Sequence, residues 1–271
     1  MSTTPQSHQL YHDMELARLF ATREENQKYL AVADGIDQVA VSLLKTTAWP
    51  YKIAELWWGA HSDIYDRFFW LLQASWSSID WVDTSASMLR LAEEYLVKKQ
   101  LHKRAALLNM VETDMLSYLQ QSAPASVDGA LMKYTINCID DLDALFFWLD
   151  RVLKPWWWCC ATIWEASSSI KSYSTNARFL YNGEAFPDDE TRTLQDGDTY
   201  GIKFFAEAWN PAWWYMRWWV LTLWYHSWER IRACAEQYSM SIFLWDRKEF
   251  CSPDNTNQLD QCVMVIQKSE G

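Results

Sequence analysis

The sequence predicts an α/β domain built on a seven-stranded, mostly parallel sheet with helices on both faces. Three observations carry this expectation. First, residues 52–83 read as strand, turn, helix and strand. The run Lys52-Ile53-Ala54-Glu55-Leu56 leads into Trp57-Trp58-Gly59, a helix-length segment follows, and Ser78-Ile79-Asp80-Trp81-Val82-Asp83 ends in a second acid. That is the first βαβ unit of a nucleotide-binding sheet. Second, strand and helix patterns alternate five times between Lys52 and Trp164, as layered α/β domains require. Third, the chain closes on a helix and two further strands, 241–246 and 262–267, split by Ser252-Pro253-Asp254-Asn255.

Residues 1–9 are polar. From Leu10 to Leu44 the periodicity is helical, with a break near Asp34-Gly35 and an apolar stripe of Tyr11, Leu16, Leu19 and Phe20. Trp49-Pro50 ends this lead-in. Strand one spans 52–56. Helix one spans 62–74, with Ile64, Phe68, Leu71 and Leu72 on one face. Strand two spans 79–82. Ser85 starts helix two, whose buried stripe is Met88, Leu89, Leu91, Ala92, Tyr95 and Leu96. Strand three is expected over 105–111, a short helix over 115–121 and strand four over 127–132. Leu142, Leu145, Phe146, Leu149 and Val152 give the helix over 140–153 its inner face. Residues 158–164 are continuously apolar, as in a strand covered on both sides. After Glu165 the composition changes. The acidic, turn-rich stretch 182–198 reads as a cap or insertion, and 201–207 and 216–225 alternate as strands that pair. A helix begins at Ser227. The chain thus divides into an N-terminal helical lid (1–48), a ligand-binding half (49–165), and a cap with closing strands (166–271).

Half of the 271 residues are apolar, and the net charge is −11. That charge argues against a general nucleic-acid binder, whose affinity rests on Lys and Arg neutralising phosphates. The six cysteines form no Cys-x-x-Cys pair. They read as buried thiols of a reducing, cytoplasmic environment. Met1-Ser2-Thr3-Thr4-Pro5-Gln6 has neither the basic start nor the apolar core of a secretory signal. The run 213–228 falls short of the ~20 apolar residues of a membrane span and is interrupted by Arg217. His8 and His12 stand four apart without a carboxylate at ligand spacing, so no metal is expected. Tryptophan is abundant (19) and glycine scarce (7), against a usual glycine share of about 7 %. The tryptophans cluster at 57–58, 156–158, 213–214 and 218–219, where the fold wants turns. Many of them are therefore expected to occupy glycine positions.

The order Glu55-x-x-x-Gly59, then Asp83-Thr84-Ser85-Ala86-Ser87-Met88-Leu89, then Thr113-Asp114-Met115 resembles the class I S-adenosylmethionine-dependent methyltransferases. The likeness covers residues 50–165 most closely. It implies a Rossmann-like sheet whose last strand inserts antiparallel between its neighbours, and S-adenosyl-L-methionine as cofactor. It also implies roles. Glu55 anchors the loop Trp57–Gly59 and the ammonium of the methionyl group. Asp83 accepts from the ribose hydroxyls, with Ser85 and Met88 opening the next helix beside it. Asp114 meets the adenine amino group, and Met115 packs on the ring. Lys133 and Tyr134 close the cofactor site at the mouth after strand four. A small-molecule or lipid-like acceptor would meet Tyr11, Asn137, Tyr173, Tyr225 and His226. Plain structural roles compete for several of these residues: Asp114 suits a helix N-cap, Glu55 a capping carboxylate, and Tyr225-His226-Ser227 the lead-in to a helix. Trp57 and Trp58 depart from the family, which has glycine at Trp57 and Pro-Gly-Gly at 155–157. The other function is therefore a non-catalytic relative whose cofactor loop is blocked. A nicotinamide-linked dehydrogenase fits less well, because only one loop glycine remains and the closing hairpin is not needed there.

Overall fold

The computed structural model describes residues 14, 17–18, 36, 39–40, 42–44, 50–56, 77–98, 108–133, 135–165, 169–172, 177–188, 190–204, 220–244 and 260–269. In chain order the first strands and helices are β1 (Lys52–Leu56), β2 (Ser78–Asp83), α1 (Ala86–Lys98), β3 (Leu108–Glu112), α2 (Met115–Gln121) and β4 (Val127–Met132). After a 3-10 turn at Ile136–Cys138 come α3 (Leu142–Val152) and the long β5 (Leu153–Glu165). Short strands follow: β6 (Ser169–Lys171), β7 (Ala177–Tyr181), β8 (Glu184–Ala185), β9 (Thr191–Thr193), β10 (Thr199–Phe204) and β11 (Leu221–Trp224). The chain ends with α4 (Trp228–Gln237), β12 (Met240–Leu244) and β13 (Asp260–Lys268).

Seven strands form one sheet in the order β12-β13-β5-β4-β1-β2-β3. The pairs β1–β2, β1–β4, β2–β3 and β4–β5 are parallel, and β13 runs antiparallel to both β5 and β12. The closing strand therefore inserts between its neighbours, as expected. Strands in the middle are buried on both faces: every residue of β4 is buried, and in β1 only Lys52 is not. β3, of which no residue is fully buried, is an edge. Cys159 and Cys160, successive residues of β5, are both fully buried, which places covered layers on both faces of the sheet.

Local chemistry accounts for the helices. Ser85 Oγ accepts from Met88 N at 3.1 Å to open α1, Asp114 Oδ1 from Ser117 N at 2.8 Å to open α2, and Asp141 Oδ1 from Ala144 N at 2.9 Å to open α3. Each satisfies an orphan amide of a first turn. The inner stripe of α3 is buried throughout, and it joins Met264 and Ile266 of β13 in one core. Truncating one of its leucines to alanine would cost about 2–5 kcal/mol.

Differences from expectation lie at element ends. The strand expected to start at Trp158 already pairs at Leu153, because Val127 faces Leu153 and Gly129 faces Trp158. Lys154, Pro155 and Trp156 bulge out between those contacts. Gly129 is needed there: a Cβ would come within 2.8 Å of the Trp158 indole. The turn-rich 182–198 stretch holds β8 and β9. Asn182 and Gly183, both at positive φ (48° and 84°), turn the β7–β8 hairpin. The four-stranded sheet β11-β10-β7-β8 pairs antiparallel, including the expected β10–β11 pair. It has its own core of Ile170, Phe179, Phe186, Leu194, Tyr200, Ile202, Leu223 and Tyr225, which packs against Cys138. Helix one and the body of the N-terminal lid lie outside the described residues.

Candidate functional site

The carboxyl ends of β3, β2, β1 and β4 lie side by side, where ligands bind in open α/β sheets. Each carries a polar side chain that the sequence singled out. Glu55 stands one residue from the end of β1 and is 2 % exposed. Lys133 directly follows β4, and its Nζ lies 3.0 Å from Glu55 Oε1. The pairing of β1 with β4 sets Glu55 opposite Leu131, two residues before Lys133. A buried carboxylate therefore meets a nearly buried ammonium at the mouth of the sheet.

Asp83 ends β2 and is 1 % exposed. Its Oδ1 accepts from Ser85 N at 2.7 Å, so the acid and the start of α1 form one rigid corner. Met88 is buried in the first turn of that helix. Thr113 N donates to Asp83 O at 3.1 Å, tying the tip of β2 to that of β3. Asp114 is exposed and serves as the N-cap of α2. Met115 is packed into the core with Leu56 and Val82. Trp57, Gly59, Tyr134, Tyr11 and Tyr173 lie outside the described residues.

Asn137 and His226 meet at a second locus, which sequence separation conceals. Asn137 Nδ2 donates to Trp224 O at 3.1 Å, and His226 Nε2 lies 2.7 Å from Ile139 O. Together these bonds join the turn after β4 to the connection between β11 and α4. A carbonyl can only accept, so Nε2 carries the hydrogen, and a neutral ring keeps its lone pair on Nδ1. Burial holds the His226 pKa below the ordinary histidine value, partly offset by the bond to Ile139. Tyr225 is buried beside it. Its pKa is raised, first by burial and then by Asp196 and Glu229. Two residues were not singled out from sequence. Asp196 accepts from both N and Oγ of Ser227, each at 2.6 Å, and so holds the start of α4. Thr135 Oγ1, just beyond β4, is buried without a hydrogen-bond partner among the described residues. No sequence signal marked either one beyond residue type.

This strand order, with acids at the tips of β1 and β2, defines the class I S-adenosylmethionine-dependent methyltransferase fold, and the chain has that fold. No family model matches the sequence, and no curated protein matches it significantly. Solved structures do. A S-adenosylmethionine-dependent methyltransferase from Clostridium acetobutylicum superposes with a TM-score of 0.56 at 16 % identity, over 94 % of this chain and 98 % of the other. CalS10, an amino pentose methyltransferase from Micromonospora echinaspora solved with S-adenosylmethionine bound, gives 0.55 at 12 % identity over 92 % and 95 %. The CcbJ methyltransferase from Streptomyces caelestis gives 0.53 at 15 % identity over 87 % and 95 %. Among the described residues, no helix is long and apolar enough to cross a membrane.

Proposed function

We propose that the chain binds S-adenosyl-L-methionine and transfers its methyl group to a small-molecule or lipid-like acceptor. The observation that carries this reading is the buried Glu55–Lys133 pair beside Asp83 at the carboxyl ends of adjacent strands. An adjacent carboxylate and ammonium complement the ammonium and carboxylate of an amino-acid head. The Asp83 carboxylate suits a pair of ribose hydroxyls. The buried Thr135 hydroxyl adds a polar group with bonding capacity at the same edge. Glu55 and Lys133 suit the methionyl head and Asp83 the ribose; the resemblance would add Asp114 and Met115 toward the base, with Ser85, Met88 and Tyr134 around them.

The bound sulfonium supplies an already activated methyl group. What remains for the protein is alignment of nucleophile, methyl and leaving sulfur. The antiparallel cap, latched to the turn after β4 through Asn137 and His226, would form the acceptor wall with Tyr225, Tyr11 and Tyr173. Neutral His226 is the candidate base if the acceptor must shed a proton. The division into lid, cofactor half and cap follows from the same reading.

A second reading is favoured by Trp57 and Trp58. Indoles in the cofactor loop would weaken binding and leave a methyltransferase-like protein without turnover. The test is conversion of S-adenosylmethionine to S-adenosylhomocysteine with a panel of amines, hydroxyls and amphiphiles. Acceptor-dependent turnover supports the enzyme. No turnover on any acceptor together with a weak or missing calorimetric signal for S-adenosylhomocysteine supports the second reading.

A further inference from the structure

We infer that position 156 is a glycine position, and that tryptophan stands there because one codon is read as tryptophan where the source cell inserts glycine. Trp156 lies in the bulge of β5 and has φ of +70°. In that region the Cβ of an L residue crowds the following carbonyl, which is why glycine is the ordinary occupant. Ala125, Asn182 and Ser239 also have positive φ among the described residues. Asparagine adopts it readily, and the other two are small. Trp156 is the bulky exception, and packing does not compensate it, since the residue is 57 % exposed. Function does not explain it either. The bulge is at the amino end of β5, opposite the strand tips that carry Glu55, Asp83 and Lys133.

Composition points the same way. An ordinary chain of this length would hold about 19 glycines, whereas this one holds 7, beside 19 tryptophans. The shortfall of about a dozen glycines is matched by an excess of a single other residue type. A UGA codon, one base from the tryptophan codon UGG, that the source reads as glycine would move those two alone. Glycines written with the four usual codons remain, and those written with UGA become tryptophan. Trp57, Trp58 and Trp157 belong to the same group by sequence context. Through Trp57 and Trp58 the inference bears on the cofactor site proposed above. Position 156 is remote from that site, so its test stands or falls without it.

The experiment compares the melting temperatures of the full chain, Trp156→Gly and Trp156→Ala. Glycine should raise Tm by roughly 2–12 °C. Alanine should give less than half of that, because it keeps the Cβ. Trp148→Gly is the contrasting variant. That indole sits in the interior of α3 with the Arg151 guanidinium 5.3 Å from its ring, so its loss should lower Tm. No gain for Trp156→Gly over Trp156→Ala would overturn the glycine-position inference. Mass spectrometry of the protein purified from cells that carry the gene then reads the peptide spanning residue 156. Glycine there confirms the codon reading, and tryptophan overturns it.

Discussion

Replacing Lys133 with methionine probes both the stability and the ligand chemistry of the site. The ammonium lies 3.0 Å from Glu55 Oε1, with side-chain exposures of 11 % and 3 %. Removing one partner from such a pair strands a buried charge, which costs about 3–5 kcal/mol. At about 2–4 °C per kcal/mol, Lys133→Met should lower Tm by roughly 6–20 °C. Glu55→Gln should fall in the same range. In Lys133→Met with Glu55→Gln no charge is left behind, and most of the loss should return. The double-mutant cycle isolates this coupling from other effects. Calorimetry adds the ligand side. Both single variants should lose affinity for S-adenosylhomocysteine, while affinity for 5′-methylthioadenosine, which lacks the amino-acid head, should hold. Additive melting losses would refute the pairing, and equal losses for the two ligands would refute its assignment to the methionyl head.

Two further outcomes follow from named contacts. Asp83→Ala should cost about 1.5–3 kcal/mol of affinity for either nucleoside ligand, the worth of hydrogen bonds to a charged group. An unchanged dissociation constant by calorimetry would remove Asp83 from the ribose site. His226 has its pKa lowered, chiefly by burial. As pH falls below the ordinary histidine value of about 6.5, the unfolded chain takes up the proton first. Stability should therefore decline from there down to the folded pKa and then level off. His226→Gln, whose amide can still donate to Ile139 O, should flatten that decline in urea melts between pH 7.5 and 5. An unchanged pH slope would show that His226 does not titrate as argued.

Much of the frame was legible because it is local. The limits of β4 and α2 follow from the apolar run after Ser126 and the N-cap at Asp114, and the stripe of α3 is the 3.6-residue period itself. The acids at the tips of β1 and β2 were readable from their place at the ends of apolar runs. What stayed hidden depends on which strands become neighbours. The Glu55–Lys133 pair exists because β4 lies beside β1, and the Asn137–Trp224 and His226–Ile139 bonds each span 87 residues. Asp114 shows a different limit. Its type and position suit both an adenine contact and an N-cap, and the bond to Ser117 N shows the cap in place. At Pro155-Trp156 the periodicity placed the strand start too late, since a bulge interrupts alternation without ending the pairing.

The proposal that the strand tips bind a nucleoside sulfonium turns on Trp57 and Trp58, which the resemblance places in the family's glycine loop. An indole buries roughly 150–250 Å², and a Cβ at a loop position that needs positive φ costs of the order of 1–3 kcal/mol. Calorimetric titration of S-adenosylhomocysteine into the unaltered chain and into Trp57→Gly with Trp58→Gly tests this most directly. Weak but measurable binding is expected of the first and at least a tenfold gain of the second, equal to about 1.4 kcal/mol. Tight binding by the unaltered chain, or no binding by the double variant, would contradict it.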